Sequence, residues 1–158
     1  MLQPSPVAPP ADLGDILPGA DFADAFALDA KEADLDALGA ARRALEPMPP
    51  WIAGLLRMRD RIVRPLGLET VADLARTPGA RCGIFPILSA TPQRVVLGLD
   101  DRHLDFRIVI DTSACAPGGT HVTVTTLVKR HNLLGRAYLA SIMPFHKLIV
   151  PSLLARVA

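Results

Sequence analysis

Aromatic residues are scarce: five Phe, one Trp and one Tyr make up 4% of the 158 residues. A stacking surface for single-stranded nucleic acid needs several exposed rings, so no nucleic-acid partner is expected. Cysteine is scarcer still. Cys82 and Cys115 form neither a CxxC pair nor a ligand-spaced set with histidine, and two thiols cannot build a disulfide framework. Reduced thiols in a cytoplasmic protein are the expectation. His103, His121, His131 and His146 are scattered, with no HExxH or Cys/His spacing, so no metal centre is read. A phosphate-binding P-loop, a GxSxG elbow at Ser141 or Ser152, paired carboxylates on one helix face and internal repeats are all missing. Residue types alone therefore assign no catalytic set and no cofactor.

A long uncharged hydrophobic run is also lacking. Ala137 to Ala155 comes nearest, but His146, Lys147, Pro144 and Pro151 interrupt it, whereas a span wants about 20 largely uncharged residues. No transmembrane segment is expected. The start, "MLQPSPVAPPADLGD", has no basic or apolar stretch of the secretory kind, and its prolines suggest an extended arm over residues 1–19.

What is present is a core. Half of the residues are hydrophobic, enough for one self-sufficient domain over residues 20–158. Net charge is +1 but unevenly spread: residues 1–36 carry eight acids against Lys31, net −7, and the rest sixteen bases against eight acids, net +8. An acidic segment lying on a basic body is the expected arrangement.

Along the chain, "ADFADAFALDA" (Ala20–Ala30) reads as a first strand or an extended lead-in. Asp34–Glu46 reads as a short amphipathic helix with Leu38, Ala41 and Leu45 on its inner face. Pro50 suits the first turn of a second helix, in which Trp51, Leu55, Met58 and Ile62 would be buried. Arg57, Arg61 and Arg64 would form the opposite stripe, with Asp60 in reach of local pairing. From Cys82 the period changes to two. The turns "ATPQ" and "LDDRH" separate three antiparallel strands, and "THVTVTTLVKRH" makes a fourth. Leu104, Phe106, Ile108 and Ile110 share one face of the third, and Val122, Val124, Thr126 and Val128 one face of the fourth. Truncation of Phe106 or Ile108 to Ala should then cost about 2–5 kcal/mol.

The last segment is helical despite two prolines. From about Leu134, a step of about 100° per residue gathers Leu134, Tyr138, Ile142, Phe145, Leu148, Ile149 and Leu153 on one face. Arg136, Ala140, Pro144, Lys147 and Pro151 fall opposite, where water replaces each lost backbone bond and the helix bends around whatever it packs on.

The fold expected is thus α+β, a curved antiparallel sheet wrapped around a long C-terminal helix, with two short helices after the first strand. This order resembles the helix-grip fold of the START, Bet v 1 and polyketide-cyclase superfamily. "NLLGRAY" (132–138) followed by "IMPFHKLIV" (142–150) resembles the end motif of an uncharacterised bacterial domain family. Members of that family occur alone or behind a dehydrogenase-like NAD(P)-binding domain, which the resemblance implies as a partner; its cofactor does not carry over, since no Gly-rich dinucleotide fingerprint is present.

The functional reading places a small hydrophobic molecule or lipid between sheet and helix. Tyr138, Thr126, Ile142 and Phe145 are the expected lining, with the Tyr138 hydroxyl as polar handle. His146 reads either as a boundary histidine bonded to a backbone carbonyl or as an acid, base or ligand donor. Asn132 would cap the helix, beside Gly135 as a close-packing position, and Arg136 is either structural or a carboxylate binder at the mouth. The alternatives are a polyketide-cyclase-like enzyme using His146 and Tyr138, and a peripheral membrane or partner-binding protein using Arg57, Arg61 and Arg64.

Overall fold

The structure, a computed structural model, describes residues 3–158. Seven strands form one antiparallel sheet: β1 (Ser5–Val7), β2 (Phe22–Ala30), β3 (Arg81–Cys82), β4 (Phe85–Ala90), β5 (Arg94–Asp100), β6 (Leu104–Cys115) and β7 (Gly119–Arg130), in the order β1-β2-β7-β6-β5-β4-β3. Helix α1 (Ala37–Leu45), α2 (Pro50–Val63) and α3 (Val71–Arg76) lie between β2 and β3, and α4 (Leu133–Leu154) closes the chain. The arrangement is α+β and helix-grip-like, as the alternation and the proline-bearing helix imply.

Strand parity decides what each face carries. Opposite Phe22, Asp24, Phe26 and Leu28 of β2 stand Val128, Thr126, Val124 and Val122 of β7, and opposite those stand Phe106, Ile108, Ile110 and Thr112 of β6. This row faces the helices. Its one-position alternate, with Val96, Val109 and Leu127, faces the other way and is covered by Leu13 and Leu17. The N-terminal segment is therefore bound to the body: Ser5–Val7 pairs with Ala25–Ala27 at the sheet edge, and a 3-10 turn at Ala11–Leu13 lays Leu13 on the outer face, with Leu17 following it there. Of the expected arm over residues 1–19, Met1 and Leu2 lie outside the described residues. Acids of the segment meet bases of the body at Asp12–Arg94 (3.0 Å) and Asp21–Arg130 (2.9 Å).

Helix α1 starts where Asp36 accepts from the Gly39 amide at 2.6 Å, and its alanines Ala37, Ala40, Ala41 and Ala44 let it lie close on the sheet beside Leu154 and Val157. Pro50 opens α2 as expected. The face of α2 differs from the expectation. Trp51, Met58 and Ile62 are 45%, 49% and 61% exposed, while Ile52 and Val63 are its buried residues. The 3.6-residue stripe is real, but α2 packs mainly on its own C-terminal turn and on α3, so its apolar side overhangs open space. Asp60 binds Arg59 at 2.8 Å and caps Val71 at 3.0 Å, where pairing with Arg57 or Arg64 was expected. Helix α3, unanticipated, is short and held by a capping box between Thr70 and Asp73.

Candidate functional site

Helix α4 begins at Asn132, whose side chain accepts from the Gly135 amide at 2.9 Å and approaches His103 Nδ1 at 3.0 Å. Gly135 is buried against the His103 carbonyl, and this contact sets the rotation of the helix. Its inner face is centred on Gly135, Leu139, Ile142, His146 and Val150 rather than on Tyr138, Phe145 and Leu148. Leu148, expected inside, is 56% exposed, and His146, expected at the edge, is inside. Pro144 is exposed, as the outer stripe requires. By length and composition Leu133–Val157 is also apolar enough to cross a membrane, but here the helix packs against β2 and β7 on the helix-bearing face of the sheet.

Between that face, α4 and the overhanging α2 is a cavity of about 640 Å³. Residues of two apolar clusters line it, Ala44, Leu45 and Leu154 from the one on α1 and Leu104, Val128 and Leu139 from the one at the start of α4. Of the residues expected to line a pocket, Tyr138, His146, Thr126, Ile142 and Phe145 do so. Arg136 and Asn132 do not: Arg136 is exposed and Asn132 is spent on the cap.

Two polar groups interrupt the aliphatic wall. In the first, Arg59 of α2 donates from Nε to the Tyr138 hydroxyl at 2.8 Å, with its guanidinium 5.3 Å from the ring centre. The same guanidinium donates from one terminal nitrogen to Asp60 at 2.8 Å and to the Glu69 carbonyl at 2.6 Å. Burial alone would weaken the charge on Arg59, but the Tyr138 oxygen and the Asp60 carboxylate outweigh it and raise its pKa. Glu69 and Asp101 line the same end, joined where the Glu69 amide donates to Asp101 at 3.2 Å.

The second group is His146, whose Nε2 lies 3.0 Å from the Asp24 carboxylate and whose ring meets Phe22 edge-on. Asp24 is the cross-strand partner of Thr126; Thr126 and His146 line the cavity, and Asp24 holds His146 from outside the lining. Asp24 and Arg59 were not anticipated. Asp24 was discernible, because the inward row of β2 reads Phe, Asp, Phe, Leu and its one acid stands opposite Thr126, the one hydroxyl among Val122, Val124, Thr126 and Val128 of β7. Arg59 carried no such signal, since its role depends on how far α2 stands from the sheet.

No curated protein and no solved structure shows a match to this chain. A family model described as "Protein of unknown function (DUF2867)" matches residues 16–153, from before β2 to all but the last residue of α4, and the chain belongs to that family.

Proposed function

We propose that this protein binds one small hydrophobic molecule or lipid in the cavity between sheet and α4, as a member of the wider helix-grip superfamily. The observation that carries this reading is the cavity itself. At about 640 Å³ it lies within the usual range of ligand pockets, its wall is mainly Leu, Ile, Val and Phe, and its polar groups are few and grouped. Apolar side chains around so large a space lose dispersion contacts that an occupant restores. Cys82 and Cys115 are both free, in keeping with a reducing cytoplasmic setting.

Native mass spectrometry of freshly purified protein, followed by solvent extraction, tests the proposal together with uptake of the uncharged dye N-phenyl-1-naphthylamine. The expected outcome is an adduct or a saturable dye signal, lost in Ile142→Trp, which fills the middle of the space. No adduct and no dye uptake would refute it. A polyketide-cyclase-like role for His146 and Tyr138 is less well supported: they are eight residues apart on α4, about 12 Å along the axis, so they address different parts of a ligand.

A second reading, docking on an anionic membrane, rests on the rim. Met58, Ile62 and Leu66 from α2 and its following turn, and Phe145 from α4, are exposed at the opening, and the exposed Arg57, Arg61 and Arg64 flank them. Co-sedimentation with phosphatidylcholine vesicles containing phosphatidylglycerol should exceed that with phosphatidylcholine alone, and Met58→Ser with Ile62→Ser should abolish it. Equal, negligible binding to both at low salt would dismiss this reading.

A further inference from the structure

We infer that the ligand's polar end is an uncharged hydrogen-bond acceptor, a ketone, ester or comparable carbonyl, docked at Arg59 and Tyr138, and not a carboxylate. The inference rests on the cavity reading and adds the chemistry of recognition. Hydrogen-bond bookkeeping gives the first half. The Tyr138 oxygen accepts from Arg59, which leaves its own O–H to donate, and among the described residues nothing accepts it. Arg59 uses Nε and one terminal nitrogen on Tyr138, Asp60 and Glu69, and its other terminal nitrogen has no acceptor among the described residues. Donors are thus in excess over protein acceptors at this point of an otherwise aliphatic wall; they are open to water, and a ligand acceptor takes the water's place.

Charge gives the second half. Arg59 is the only Lys or Arg among the residues lining the cavity, and Asp60 already holds it at 2.8 Å. Glu69 and Asp101 add two carboxylates to the same end. At the far end His146 is held by the Asp24 carboxylate at 3.0 Å, so it offers a ligand no unpaired cation. A ligand carboxylate would enter apolar surroundings beside unbalanced negative charge, which disfavours its ionised form. A carbonyl gives up only its hydration, which the waiting donors replace.

The test is displacement of N-phenyl-1-naphthylamine near neutral pH, where a fatty acid is ionised, by 2-dodecanone and by dodecanoate, which match in chain length. The ketone should displace the dye at a concentration about tenfold or more below that of the acid, the least that burying an unpaired charge implies. Tyr138→Phe, which removes one neutral hydrogen bond, should weaken the ketone about fivefold. Asp101→Asn should narrow the gap by improving dodecanoate. Dodecanoate displacing as well as the ketone, failure of the ketone to displace, or indifference of the ketone to Tyr138→Phe would overturn the inference while dye binding leaves the cavity reading standing. A protein that takes up no dye fails at the earlier step instead.

Discussion

Gly135→Ala is the substitution that most directly tests how α4 is seated. On helix propensity alone it should stabilise by about 1 kcal/mol. The structure reverses the sign. A Cβ at Gly135 would stand 3.0 Å from the His103 carbonyl carbon and closer still to its oxygen, with Leu104 Cβ 3.6 Å away. Neither partner is a flexible tip: the carbonyl is backbone at the entry to β6, and its oxygen accepts from the His131 amide at 3.0 Å. The start of α4 must therefore retreat, which strains the Asn132 cap and opens the cluster of Leu104, Val128 and Leu139. Overpacking of this kind costs about 1–3 kcal/mol, and loss of the cap adds about 1. Set against the propensity gain of about 1 kcal/mol, the net loss of about 1–3 kcal/mol should lower Tm by about 2–12 °C for a chain of this size. Gly54→Ala is the control. Gly54 also lies inside a helix, but its Cβ would meet only an Arg57 nitrogen at 4.0 Å, so the propensity gain of about 1 kcal/mol should appear. Thermal melts followed by circular dichroism compare the two, and a Gly135→Ala protein as stable as Gly54→Ala would refute the seating described.

Two other perturbations have definite signs. Burial, with a smaller contribution from Glu46, pushes the Cys82 thiol up to about 11. Above about pH 9 the unfolded thiol ionises while the folded one stays protonated, so stability falls as pH rises towards 11, by up to about 3 kcal/mol; in denaturant melts the stability difference between wild type and Cys82→Ala should be constant below that window, set by the lost core packing at this buried site, and should shift against wild type across it. Both residues touch the cavity, but Ile110→Ala, at a site 2% exposed, should cost about 2–5 kcal/mol, whereas Phe106→Ala, at a half-buried site, should cost about 1–3 because more of its surface already faces open space. If Phe106→Ala proves the costlier in urea melts, the space beside it is filled.

Periodicity made most of the architecture legible. Alternation in "LDFRIVI" and "THVTVTTLV" identified both long strands and their inward rows, because a side-chain period of two leaves only two choices of face. Pro50 marked the start of α2, and Asn132 and Gly135 were readable as a cap and a close approach. Tyr138, Ile142, Phe145, His146 and Thr126 all line the cavity, although α4 is turned so that Tyr138 and Phe145 lie off the centre of its inner face. Periodicity misjudged α2, where an amphipathic stripe signals apolar contact but not whether protein or open space lies opposite.

Local sequence thus determined which residues form each strand and helix and which of their faces are apolar, for these depend on spacing along the chain. Tertiary structure alone decided the rest: that Asp24 meets His146 across 122 positions, that Arg59 reaches Tyr138 across 79, and that Leu13 and Leu17 cover the outer face of the sheet. Those contacts depend on the separation of packed layers. A difference of a few ångströms, carried by no short-range pattern, settles whether the space between sheet and helix is a filled core or a cavity.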